Sequence, residues 1–221
     1  MRIGGLVKTS FVDYPGRICT VIFTQGCNLR CPYCHNPQLI GSGGDMQLLA
    51  LPAVLEQLDK RRGVIDAVTV SGGEPTLQSG LRAFLRQLKL RGFSVKLDTN
   101  GTNPQMLVAL ISQGLVDFFA MDLKAPLAKY AQICGVEQMD LEAVRISARL
   151  IRNSGVDYEF RTTFCAELAD DDILALLDDF AVSDHYVLQN CLDAGGRAPR
   201  RKRDISALLQ RLPQGCGNRG F

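Results

Sequence analysis

ICTVIFTQGCNLRCPYCHNP, residues 18–37, is the stretch on which the reading of this chain turns. Residues 18–24 are a short β-branched and aromatic run, which predicts a buried strand. Cys27, Cys31 and Cys34 follow at once in a C-x3-C-x2-C loop. An iron–sulfur cube has four iron corners, normally closed by four cysteines. Three thiolates leave one iron with an open position, the arrangement that binds and activates a small molecule rather than bracing a fold. The alternative is a Cys3His zinc site completed by His35. Adjacent residues such as Cys34 and His35 rarely reach the same tetrahedron, and the x3-x2 spacing is not that of paired zinc knuckles. The cluster is therefore the reading favoured here.

Outward from this loop, the chain alternates short apolar runs with longer amphipathic ones, the pattern of βα units around a parallel sheet. Strands are predicted at 18–24, 67–71, 94–99, 118–122, 158–163 and 185–189. Helices are predicted at 52–62, 81–91, 104–113, 141–153 and 171–180. Pro52 and Pro104 suit the first helical turn, where a missing N–H costs nothing, and Gly63, Gly92, Gly114 and Gly155 stand just past helix ends. Six βα units fit this length, whereas a closed eight-unit barrel usually takes ~250 residues. The expectation is an α/β fold: an incomplete (β/α)6 TIM-like barrel with the cysteine loop after its first strand. A single domain over 1–221 is expected, with a hairpin or cover at 1–17, the partial barrel at 18–190, and a C-terminal tail with a basic patch at 191–221, Gly-rich and loose after Leu212.

Composition narrows the class. The chain has 221 residues, 46% of them hydrophobic, enough for one sizeable core. It shows no opening apolar stretch with a cleavage site and no run near ~18 apolar residues, so neither export nor membrane insertion is expected. Eight cysteines in such a chain, three of them clustered, favour metal ligation in a reducing cytoplasm over a disulfide scaffold. The net charge of +2 is uninformative, but RAPRRKR at 197–203 concentrates five of the 25 basic residues. It reads as a solvated loop; a dock for an acidic face is the alternative, and without interleaved aromatics no nucleic-acid partner is expected.

In parallel α/β folds the working residues gather at the carboxyl ends of strands. The first predicted strand ends in the cysteine loop, the second in SGGEP (71–75), and the third in DTNG (98–101). The fourth runs into MDLK (121–124), and the fifth carries FRTTF (160–164). Each of these alone is an ordinary turn or strand end. Together, in order and at one rim, they predict one pocket. Among the other cysteines, Cys19 reads as a packing residue, and Cys165 and Cys191 as packing residues with pocket lining as the alternative. Cys134 reads as a loop thiol without a partner, and Cys216 as an exposed thiol of the tail, with an extra ligand as the alternative. His35 is expected to cap its loop, and His185 to be structural.

The cysteine loop with these motifs resembles the radical S-adenosylmethionine (SAM) superfamily. That resemblance implies a [4Fe-4S] cluster on Cys27, Cys31 and Cys34, and SAM chelating the open iron through its methionine amine and carboxylate. Gly72 and Gly73 would let the backbone approach the ligand, and Glu74, Pro75 and adjacent carbonyls would meet its ammonium. Asp98 and Asn100 would bind the ribose, Lys124 or Arg161 would neutralise the carboxylate, and Tyr33 would lie flat beside the adenine. One-electron cleavage would give methionine and a 5′-deoxyadenosyl radical.

KTSFVDYPGR (8–17) and CHNP (34–37) narrow the resemblance to activating enzymes of glycyl radical enzymes, most closely the activating proteins of anaerobic ribonucleoside-triphosphate reductase. It covers roughly residues 3–190. It implies hydrogen abstraction from a glycine of that partner, a low-potential flavodoxin or ferredoxin as electron donor, and a monovalent cation near Asp98, Thr99 and Asp122. A pyruvate formate-lyase-type activase, or a radical SAM enzyme acting on a small molecule, are the alternatives. A non-catalytic metal module would leave GGEP, DTNG and MDLK without a purpose. Only residues 35–51 separate the cluster loop from the first helix, too few for the ferredoxin-like insertion of many such activases.

Overall fold

The computed structural model describes residues 1–41, 47–191 and 203–221. One sheet runs through the molecule, in simple chain order. Strand β1 (Ile3–Ser10) pairs antiparallel with β2 (Cys19–Thr24), with Leu6 opposite Ile22. From β2 onward every pairing is parallel: β3 (Ala67–Gly72), β4 (Ser94–Thr99), β5 (Phe118–Asp122), β6 (Asp157–Phe164), β7 (Tyr186–Asn190) and β8 (Gly217–Arg219). Strands β1 and β8 are the two edges, so the sheet does not close on itself, consistent with a partial, open-sided barrel. The expected strands all form, the first of them being β2.

The parallel strands are linked by helices because each connection carries one apolar stripe. These are α1 (Leu51–Asp59), α2 (Leu81–Leu90), α3 (Pro104–Ser112), α4 (Tyr130–Cys134), α5 (Leu141–Arg152) and α6 (Asp170–Asp179), with a four-residue α7 (Ser206–Leu209) near the end. Asn103 and Asp140 cap α3 and α5, each side chain accepting from the backbone N–H three residues on. The glycines read as helix stops all take positive φ. In α2 the spacing of Leu81, Phe84, Leu85 and Leu88 puts all four on one face, buried against the sheet. At roughly 1.5–3 kcal/mol for each such side chain, this burial outweighs the weak capping of that helix at Gly80.

Side-chain alternation along each strand decides the function of the sheet's two faces. On β4, Val95 and Leu97 join the helix-side core, so Lys96 and Asp98 point to the concave face. On β6, Phe160 and Phe164 go outward and Glu159 and Arg161 inward. The lower part of the concave face holds a small apolar cluster of Tyr14, Cys19, Val21 and Ala67. The Tyr14 ring lies 5.8 Å from that of Phe118, and Thr69 Oγ1 donates to the Asp13 carbonyl. The segment after β1 is thus a plug in the barrel as well as a cover.

Two expectations are corrected. The tail beyond Leu212 is not loose: β8 extends the sheet, because Arg219 meets Glu159 with two hydrogen bonds (2.7 and 3.2 Å) and Asn190 Nδ2 donates to the Gly220 carbonyl. Cys216, beside it, is half-buried. Cys134 lies on the unanticipated α4, fully buried. Residues 197–202 of the basic stretch lie outside the described residues. Arg203, its last member, stacks over the Phe164 ring at 3.4 Å and donates to the Leu168 carbonyl. Among the described residues no helix is long and apolar enough to cross a membrane.

The α2 packing gives a direct check. Phe84→Ala should lower unfolding stability by roughly 3–5 kcal/mol in urea titrations, whereas exposed Arg82→Ala should change it by less than about 0.5 kcal/mol.

Candidate active site

A cavity of about 280 Å³ opens at the carboxyl ends of the strands. Its wall includes Cys27, Cys31, Tyr33 and Cys34 from the loop after β2, and Gly72, Gly73 and Glu74 from the end of β3. Asp98 and Thr99 at the end of β4 with Asn100 just beyond, Asp122 at the end of β5 with Lys124 just beyond, and Arg161 on β6 complete the expected set. Pro75 alone does not reach the wall; it is buried at the start of the following turn.

The cysteine loop is held from several sides. The Gly26 and Cys27 N–H groups donate to the Leu39 and Ile40 carbonyls (2.7 and 3.1 Å), Arg30 N–H to the Cys134 carbonyl (2.8 Å), and Cys34 N–H to the Cys31 carbonyl (3.0 Å). The Leu29 N–H points at Cys27 Sγ, 3.4 Å away, a donor suited to a thiolate. Cys134 has a partner after all. Its thiol lies beside that of Cys31, and the interaction of the two holds Cys31 below the ordinary cysteine range and pushes Cys134 above it. Among the described residues no three His, Cys, Asp or Glu side chains converge as the ligands of a single ion would. His35, exposed on the rim, does not close a zinc tetrahedron with the thiols. Three half-buried thiols spread around one cavity, with no fourth on its wall, suit three corners of a cube.

The glycines of the β3 rim are required by packing. A Cβ on Gly73 would lie 2.2 Å from the Gly26 carbonyl oxygen, and one on Gly72 2.3 Å from Thr24 N. That side faces β2 and the cysteine loop, so the demand for glycine comes from the loop's seat rather than from a ligand. Glu74 is fully buried and bridges β3 to β4. Its Oε1 accepts from Thr76 N, Thr76 Oγ1 and Thr99 Oγ1, and its Oε2 from Asn100 N (2.6–3.0 Å). Burial raises its carboxyl above the usual range. Asn100 Nδ2 donates to Asn28 Oδ1 (3.0 Å), tying DTNG to the cysteine loop.

The cavity floor is an ion ladder. Arg161 Nε donates to Asp122 Oδ1 (2.9 Å), and its Nη2 lies 3.5 Å from Asp98 Oδ2. Lys124 Nζ donates to Asp122 Oδ2 (2.9 Å), Ser71 Oγ to Asp98 Oδ2 (3.0 Å), and Lys96 Nζ to Asp98 Oδ1. Burial alone would raise both aspartates, but Arg161 with Lys96 or Lys124 outweighs it and holds both carboxyls below their ordinary value. Burial would lower Lys124, but Asp122 outweighs it and keeps the ammonium well above its own. Tyr33 is held neutral, its phenol pushed far up by burial.

Ser71 and Thr163, within the SGGEP and FRTTF motifs, also stand on the wall, while the sequence reading singled out neither Asp13 and Gln189 on the wall nor Lys96, Glu159 and Arg219 behind it. Counting back by two from Asp98 and Arg161 finds Lys96 and Glu159. Asp13 and Arg219 come from segments with no strand-end signal.

With the geometry in place, similarity to known proteins can be read against it. The profile of the radical SAM superfamily matches residues 21–180. MJ1227 of Methanocaldococcus jannaschii, assigned by its name to the glycyl-radical enzyme activating enzymes, is 33% identical over 192 residues, 85% of this chain and 78% of that protein. The pyruvate formate-lyase-activating enzyme of Clostridium pasteurianum is 40% identical over 105 residues, 45% of this chain and 43% of its own length. Among solved structures, Streptococcus suis SuiB bound to S-adenosylmethionine superposes with a TM-score of 0.68 at 17% identity. That match covers 90% of this chain and 50% of SuiB, so the chain spans about half the length of that protein.

Two outcomes follow from the geometry. Gly73→Ala should displace the cysteine loop and lose most of the iron and sulfide taken up on anaerobic reconstitution, whereas Gly63→Ala, whose Cβ meets nothing, should keep them. Asp122 contributes stability above the unfolded carboxyl value of about 4, and loses it as pH falls through its lower folded value. The difference in urea midpoint between the native chain and Asp122→Asn should therefore be largest near pH 6 and shrink on acidification.

Proposed function

The chain belongs to the radical SAM superfamily and, within it, to the glycyl-radical enzyme activating enzymes, and from that premise we propose that it installs the glycyl radical of an anaerobic ribonucleoside-triphosphate reductase. The observation that carries the activase reading is the 33% identity to MJ1227 across most of both chains, joined to a thiol-lined cavity in an open-sided barrel. An open flank leaves room for a loop of a folded protein. The VDYPG stretch supports the reductase in particular, and its Asp13 stands on the cavity wall. The match to the pyruvate formate-lyase-activating enzyme supports a formate lyase as the second reading.

In this proposal Cys27, Cys31 and Cys34 hold the [4Fe-4S] cluster. When bound, the cluster and SAM supply the one-electron chemistry that removes a hydrogen atom from a glycine Cα. The chain's own residues place and shield the reactants. Lys124 and Arg161, held by Asp122 on the cavity wall, are the cations that would neutralise a ligand carboxylate. Gly72 and Gly73 offer only main-chain groups to an ammonium, while Asp98 and Asn100, on the same wall, would meet sugar hydroxyls. Phe23, Leu29 and the Tyr33 ring line the wall and exclude water. A reducing cytoplasm suits the eight free thiols, and a low-potential flavodoxin or ferredoxin suits the electron demand.

Cys27→Ala, Cys31→Ala and Cys34→Ala should each abolish cluster uptake, read as iron, sulfide and visible absorbance; a full cube in any of them would contradict the ligand assignment. The partner is tested by mixing the reconstituted protein anaerobically with SAM, reductant and the host's reductase or formate lyase. The expected result is a doublet electron paramagnetic resonance signal on the reductase that collapses to a singlet with Cα-deuterated glycine. A doublet only on the formate lyase selects the second reading, and none on any glycyl radical protein overturns activation.

A further inference from the structure

The monovalent cation implied near Asp98, Thr99 and Asp122 does not fit the residues found there. Asp98 Oδ1 receives the Lys96 ammonium, and Oδ2 receives Ser71 Oγ with Arg161 at 3.5 Å. Both oxygens of Asp122 are engaged at 2.9 Å, one by Arg161 and one by Lys124. The Thr99 hydroxyl donates to Glu74 Oε1 (2.8 Å) and accepts from Gly101 N–H (3.1 Å). An ion entering here would meet an ammonium already seated on the carboxylate it needs.

Lys96 is 2% exposed, and a lysine so enclosed must have a charge partner. Asp98 is that partner, two residues along the same face of β4. A lysine ammonium is a compact point charge on a flexible stem, close in kind to a bound alkali ion. Most of the charges on the neighbouring strands are likewise paired within the chain, with Glu74 and Asp13 as further carboxylates on the same wall. Asp98 and Asp122 stand against Lys96, Lys124 and Arg161, while Glu159, 3.8 Å from Arg161, is matched by Arg219 from β8. The carboxylate oxygens that an alkali ion would need at Asp98 and Asp122 are thus already taken by cations of the chain.

We propose that Lys96 is a built-in counter-cation: it takes the place of a bound sodium or potassium ion, so that this chain binds SAM independently of alkali ions. Lys96 acts through Asp98 and is a positioning residue. The proposal rests on the SAM-binding reading above, and deepens it by assigning the floor's charge to the chain itself.

The test is calorimetric titration of SAM into the anaerobically reconstituted protein in choline, sodium and potassium chloride at equal ionic strength. The native protein should show the same affinity in all three salts. Lys96→Met should bind at least about tenfold more weakly in choline and recover in sodium or potassium, whereas a merely structural lysine would give a loss that no salt restores. Lys96→Arg should keep the native behaviour. Tighter binding by the native protein in sodium or potassium than in choline would overturn the proposal, as would a folded Lys96→Met insensitive to salt. Should Lys96→Met fail to fold, the native comparison decides alone. Absence of SAM binding in every salt overturns the underlying reading and the proposal with it.

Discussion

The carbonyl oxygen of Gly26 sits where any side chain on Gly73 would have to be, and it accepts the Glu74 N–H at 2.8 Å. That single close approach seats the cysteine loop on the end of β3. Glu74, pinned beneath it, then reaches Thr99 and Asn100 at the end of β4. Three successive strand ends are thus joined, β2 to β3 by contacts too short to tolerate a methyl group and β3 to β4 by the hydrogen bonds of Glu74. The three thiols acquire a fixed position relative to the sheet because of this seat, and the cavity exists because the loop stands off from the floor while its root is clamped.

The floor obeys a different constraint. Burying five charged groups at the mouth of a barrel is tolerable only when each finds an opposite charge with good geometry. The alternation of β4, β5 and β6 delivers that arrangement, with Asp98, Asp122 and Arg161 on the inner face and Lys96 and Lys124 closing the ends. The result is a polar surface whose charged groups hold one another in place. Glu159 extends the ladder to Arg219, so the last strand takes part in the electrostatics of the site as well as in the sheet.

Much of this was legible in the chain. The alternation of apolar runs gave the strands within a residue or two, and the helix-stop glycines gave the helix ends, because both signals are local. The rim motifs were legible because strand ends gather at one face whatever the details. What escaped depends on pairing across long distances. Lys96 reads as a surface lysine until Asp98 is seen to share its face, and β8 has no apolar run because Arg219 and Glu159 hold it in place instead. Cys134 looked partnerless because its helix is only five residues long and its companion, Cys31, lies a hundred residues earlier. The glycine requirement at SGGEP was visible, but its cause lay in the contact with Gly26, which no strand pattern encodes.

The central claim is that this cavity holds a cluster with an open iron beside SAM. Incubating the anaerobically reconstituted protein with SAM and a strong reductant, without any partner, and quantifying the products tests it most directly. The account predicts 5′-deoxyadenosine and methionine in equal amounts, dependent on the reductant and lost in Cys31→Ala. A protein that carries its full iron and sulfide yet releases neither product would contradict it.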